Sequence, residues 1–187
     1  MLTASLSKNA CEYCVDGDGN WLSLAAGATT QSVNAGHTLS FRGNLTPTSS
    51  AGIGTFTISK KCNLEGHCMS MLFGDNAANN LSLAGKDNAF YKLFSGCTNI
   101  VEVSEGFLPA TTLVTTCYSS MFSGCTSLNS ITCLATNYKS GATGCTSGWV
   151  KNVAANGTFY KSRNALAGIW PTGVNGIPSG WTVINYN

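Results

Sequence analysis

The stretch YSSMFSGCTSL at 118–128 decides how this chain folds, because FYKLFSGCTNI at 90–100 repeats it closely. Five consecutive positions are identical: Phe94/Phe122, Ser95/Ser123, Gly96/Gly124, Cys97/Cys125 and Thr98/Thr126, each pair 28 residues apart. Carrying that offset outward keeps apolar residues in step. Val103, Ile131 and Phe159 align, as do Phe94, Phe122 and Val150, and Leu93, Met121 and Trp149. LPATTL (108–113) has a weaker echo in LATNYK (134–139), at an offset of 26. A fixed period of this length marks units that stack, none of which buries its apolar face alone.

The same alignment assigns the cysteines. Cys97 and Cys125 correspond to Val153, and Cys117 and Cys145 to Ala89. Positions where Cys interchanges with Val, or with Ala, need a small apolar side chain, and free Cys packs as one. The total of nine cysteines is odd, so complete pairing within the chain is impossible. Most of the nine therefore read as reduced packing residues.

Composition narrows the function classes. Only 10% of the 187 residues are charged, the net charge is +2, and 21 glycines join Ser, Thr and Asn in supplying polarity. Phosphate neutralisation needs clustered Lys and Arg, and Lys60-Lys61 is the one adjacent basic pair, so no nucleic-acid partner is expected. No apolar run approaches the ~20 residues that span a bilayer, so no membrane insertion is expected. MLTASLSKNA lacks the basic and apolar regions of a signal peptide. That leaves a cytoplasmic or virion-borne chain, or one whose export signal has been removed.

The expected architecture is mainly β with short helical turns: a small N-terminal sheet or sandwich module over 1–75, then a solenoid over 76–187. In the first part, LTASLS (2–7), HTLSFRG (37–43) and IGTFTIS (53–59) alternate apolar and polar residues, as half-buried strands do. EYCVDGDGNWLSL (12–24) is two runs hinged on Asp16-Gly17-Asp18-Gly19, a hairpin signal. In the second part, Leu128-x-x-Ile131-x-Cys133 is close to the strand phrase of leucine-rich repeats. Strands are predicted near 101–104, 130–133 and 158–161, with helical turns at 88–94, 117–122 and 146–153. About three 28-residue units would stand between the N-terminal module and a C-terminal cap, 169–187, carrying Trp170 and Trp181.

Chemistry is thinly written. Asp16, Asp18 and Asn20 share the opening spacing of a calcium loop, but Trp21 stands where the loop needs Gly and Gly27 where it needs Glu. A tight turn explains them. Cys11 and Cys14 with Cys62, His67 and Cys68 hold the residue types of a zinc site. Strand alternation, however, sends Cys11 and Cys14 to opposite faces, and His67 and Cys68 likewise. Catalysis lacks its parts: two histidines (His37 and His67), no paired carboxylates within the repeats, and no phosphate loop. No metal, no cofactor and no enzyme are expected.

MFSGCTSL, LPATTL with a following CY, and GTFYK (157–161) with GIPSGWTV (176–183) together resemble the BspA-like leucine-rich repeat proteins. That family is best known as surface proteins of Bacteroides relatives and also occurs in mobile elements and phages. The resemblance covers about 84–187, and CEYCVDGDGNW with SFRGNLTP resembles the β-rich lead-in of some members. It implies a solenoid serving adhesion or recognition at the cell surface or in secreted form. This chain departs from the longer members in its few repeats and in showing no anchor.

In such a solenoid Val103, Ile131 and Phe159 face inward. Glu102, Ser130 and Thr158 then line the outer face on one side of that row, and Ser104, Thr132 and Tyr160 on the other. This nearly uncharged, hydroxyl-rich ladder is the candidate binding site for a host protein or glycan. The competing reading is a structural or assembly component, of a virion for example, whose repeats contact other subunits and allow self-association.

Overall fold

Five short strands build the first part of the chain: β1 (Ala4–Leu6), β2 (Cys11–Val15), β3 (Leu22–Leu24), β4 (Leu39–Arg42) and β5 (Phe56–Ile58). The fold is a computed structural model that describes residues 1–186. Asp16, Gly17 and Gly19 take φ of 54°, 63° and 78°, the left-handed region that Asp and Gly tolerate. The turn they form closes the β2–β3 hairpin (Cys11↔Leu24, Tyr13↔Leu22). Strand β4 lies antiparallel on the other side of β2, and β1 pairs antiparallel with β5.

The 28-residue period folds as a β-solenoid of about three turns. After β6 (Cys62–Leu64) come a one-turn helix α1 (Ser70–Phe73) and a 3-10 turn at Gly74–Asn79. Then follow β7 (Ile100–Val103), β8 (Thr112–Leu113), β9 (Ser130–Cys133), β10 (Asn137–Tyr138), β11 (Thr158–Ser162) and β12 (Thr182–Tyr186). One wall is a five-stranded parallel sheet in the order β12-β11-β9-β7-β6. Its register follows the repeat: Val103 pairs with Ile131 and Ile131 with Phe159. The first strand of this sheet, β6, comes from within the 1–75 segment, so the N-terminal part contributes a rung as well as a cover.

A second wall is the short parallel pair β8–β10, where Leu113 lies beside Tyr138 and Thr112 beside Asn137. The spacing here is 25 rather than the 26 read from LPATTL and LATNYK. Matching the two leucines put the echo one residue out. The backbone instead brings Thr136 N–H onto the Thr111 carbonyl at 2.8 Å.

The third wall corrects the expectation of helical turns at 88–94, 117–122 and 146–153. Helical backbone is confined, among the described residues, to α1 and the 3-10 turn after it. The three segments are chains of β-turns. Left-handed residues recur at every fourth position: Asn88, Lys92 and Gly96, then Thr116, Ser120 and Gly124, then Gly144, Gly148 and Asn152. A right-handed helix cannot propagate through such residues. Hydrogen bonding alternates to match. Ala89, Tyr91, Leu93, Ser95 and Cys97 donate three residues back, while Asn88, Phe90, Lys92, Phe94 and Gly96 donate across to 115, 117, 119, 121 and 123 of the next coil. Each backbone donor in this run is used, as a buried wall requires.

Between the walls lies one continuous core. Val103, Ile131, Phe159, Leu93, Met121, Trp149, Phe94, Phe122 and Val150 are all buried. Phe56, Phe94 and Phe122 stack in a column, and Phe90, Tyr118 and Trp149 in a second. All nine cysteines are free and all except the half-buried Cys62 are buried. The tail closes the far end with tryptophans whose N–H groups find backbone partners: Trp170 donates to Ala135 and Trp181 to Ala154. Two glycines make this closure possible. A Cβ on Gly157 would sit 2.4 Å from the Asn129 carbonyl oxygen, and one on Gly176 1.9 Å from that of Pro171.

Candidate recognition surface

Strand alternation turns the residues between the buried ones to the outside of the parallel sheet. Glu102, Ser130, Thr158 and Thr182 form one row in register across β7, β9, β11 and β12. Thr132, Tyr160 and Ile184 form a second. Neighbouring strands in a sheet lie about 4.8 Å apart, so each row is a regular file, hydroxyls except for Glu102 at the start of the first and Ile184 at the end of the second. Five of the six residues marked in the sequence stand in these rows, and Ser104, just past β7, joins them through its hydroxyl on Glu102. Glu102, Ser104, Ser130, Thr158 and Tyr160 are half-buried there, whereas Thr132 is nearly closed off at 8% exposed.

Local hydrogen bonds hold the acidic end of this face. The Glu102 carboxylate accepts from Asn63 Nδ2 at 3.4 Å and from Ser104 Oγ at 3.3 Å. At the other end Tyr160 meets Tyr186 edge to face, with ring centroids 6.3 Å apart. The Tyr186 hydroxyl donates to Glu105 Oε2 at 2.5 Å, and that bond holds its phenol above the usual pKa range. Tyr186, Ile184 and Glu105 were not singled out in the sequence. The signal of Tyr186 and Ile184 was hidden because β12 sits in an irregular tail outside the 28-residue register. The parallel pairing Tyr160↔Ile184 and Ser162↔Tyr186 brings the two β12 residues to this face, and the Tyr186 hydroxyl reaches Glu105 in the turn after β7.

The other sequence candidates lie elsewhere. Asp16 binds His37 Nδ1 at 2.6 Å and accepts from the Thr38 N–H at 2.8 Å; these two bonds lower its carboxyl pKa. Asp18 accepts from the Asn20 N–H within the turn, whereas the Asp16 carboxylate ties the turn to the segment before β4. Cys11, Cys14 and Cys68 are buried free thiols, and desolvation pushes the Cys11 and Cys62 thiols up to about 11. Among the described residues no three His, Cys, Asp or Glu side chains come together as a metal site. Arg42 stacks 4.1 Å over Trp21 and pairs with Glu12 and Asp75, tying β4 to the turn after α1. An open groove of about 320 Å³ runs between Tyr138, Thr146, Pro171 and Asn175, with the Tyr138 hydroxyl donating to the Ile169 carbonyl at its edge. No described helix is long and apolar enough to cross a membrane.

No protein-family model matches the chain, and comparison with curated proteins and with solved structures finds no match.

Proposed function

We propose that this chain is a non-enzymatic recognition and adhesion module that binds a host protein or glycan through the outer face of its parallel sheet. The observation that carries the reading is the alignment of hydroxyl rows with the Tyr160–Tyr186 pair on one wall. Tyrosines present a rigid apolar ring with a polar tip, which suits them to binding surfaces. Ser and Thr rows beside them supply donors and acceptors without the desolvation cost of charge. The likeness of the repeats to BspA-like surface proteins supports the same reading, and with it a cell-surface or secreted location.

The test is a binding screen of the purified protein against glycans and extracellular-matrix proteins. Ser130→Arg and Tyr160→Ala variants run beside it, each checked for fold by circular dichroism. A hit lost in both folded variants supports the outer face. A hit that both retain moves the site to another wall. A screen with no hits favours the assembly component instead.

A further inference from the structure

Among the described residues β12 is the last strand of the sheet, and no strand pairs with its outer side. The Thr182 N–H donates to Gly157 and the Tyr186 carbonyl accepts from Arg163 N–H. Residues in a parallel ladder alternate sides, so Thr182, Ile184 and Tyr186 spend their backbone groups on β11. Val183 and Asn185 aim theirs away, and among the described residues nothing bonds them. The strand is five residues long, Val183 and Ile184 are 42% and 41% exposed, and it contains neither charge nor proline. Those are the devices that normally blunt an edge. The opposite edge has them: β6 is bracketed by Lys60, Lys61 and Glu65.

We propose that β12 pairs antiparallel with β12 of a second copy, joining two solenoids into one ten-stranded sheet. The free groups are symmetric about Ile184, which makes the edge self-complementary under a two-fold axis. Val183 of one copy faces Asn185 of the other, and each such pair exchanges two N–H···O=C bonds. Four hydrogen bonds then satisfy all the exposed groups of Val183 and Asn185. Ile184 meets its own copy in a non-hydrogen-bonded pair, where Cα atoms lie about 4.5 Å apart and side chains touch. Tyr186 falls opposite Thr182 on the same face. An isologous pair sets identical residues near one another, so a charged strand would repel itself, and this one has no charge to do so. The two guarded β6 edges become the ends of the joined sheet, which closes the assembly at two. The pairing runs through the backbone edge of β12 and is read by oligomeric state, whatever the outer face binds.

Sedimentation velocity across a concentration series tests this directly, with wild type beside Ile184→Lys and Asn185→Pro. Both side chains are solvent-exposed, and the Asn185 N–H points away from β11, so the fold tolerates both changes; circular dichroism confirms it. The expected result is a species of twice the 19.5 kDa chain mass for wild type and monomer for both variants. Ile184→Cys supplies a positive signal. At about 4.5 Å between Cα atoms it should close a reducible inter-chain disulfide on oxidation, while Tyr160→Cys, one strand inward, should not. A wild type that stays monomeric throughout the series overturns the proposal. So does a dimer that survives both edge variants, or growth beyond two copies, which would mean head-to-tail joining of β12 to β6.

Discussion

Phe94 and Phe122 lie face to face, ring centroids 5.8 Å apart and planes within 2° of parallel. They are the same residue of successive coils. Identical side chains in identical backbone settings one rung apart point the same way, so a period in sequence becomes a column in space. Phe56 extends that column by one ring at 5.5 Å, although it stands outside the repeat. The aromatic column is where the first part of the chain and the solenoid share a core.

Truncating the middle of the column should be severe. Phe122 is fully buried, and Phe→Ala in a core costs about 3–5 kcal/mol. That is a large part of the roughly 5–15 kcal/mol a domain possesses. Urea unfolding of Phe122→Ala should show a correspondingly lower midpoint. An unchanged midpoint would mean the coils do not rest on their aromatic stack.

Tyr118→Phe should act in the opposite direction. The Tyr118 ring is wholly buried and its hydroxyl finds no hydrogen-bond partner among the described residues. The residue one period earlier is already Phe90, and the two rings stack. Removing an unsatisfied buried hydroxyl should gain about 1 kcal/mol. The same unfolding titration reads it, and a loss of stability would show that the hydroxyl is bonded.

The turn wall yields a reciprocal pair. Ser120 and Gly148 occupy the same left-handed position of successive coils, at φ of 53° and 60°. An L-residue costs roughly 1–2 kcal/mol there and glycine does not, though glycine gives back part of that in the unfolded chain. Ser120→Gly should therefore stabilise by about 0.5 kcal/mol and Gly148→Ser destabilise by about 1. Shifts of the same sign in thermal melts of the two variants would refute the turn-chain account.

Alkali should unfold the protein through its thiols. Burial raises the Cys97 and Cys133 thiols from 9.0 to about 12, and Cys11 and Cys62 to about 11. A raised folded-state pKa contributes stability that is intact below the unfolded value. That stability drains away as pH climbs towards the folded one. The loss should begin near pH 9 and be nearly complete by about pH 12, the bounds set by those same thiols. Alkylation near neutral pH should mark half-buried Cys62 first and reach the eight buried cysteines only after denaturation. Rapid native labelling of Cys97 or Cys125 would contradict their place in the core.

Much of the candidate surface was legible before any coordinate. Two-residue alternation around Val103, Ile131 and Phe159 places Glu102, Ser130 and Tyr160 on one face, because a strand has no other choice. The aromatic end of that face was not legible. Tyr186 and Ile184 belong to a strand that follows Gly- and Pro-rich turns and carries no copy of the repeat phrase.

What the sequence determined by itself is the stack: its period, the residues that face inward, and the packing role of its cysteines. Each of these follows from local spacing and from side chains that interchange at equivalent positions. Tertiary structure alone decided the rest. Whether a run such as 88–96 coils as a helix or as chained turns depends on the backbone hydrogen bonds that the next coil accepts, 27 residues away. It was also the three-dimensional closure that drew β6 and β12 into one sheet and, among the described residues, set β12 at its edge. Backbone pairing across such separations is chosen by which surfaces meet, and no single segment records that choice.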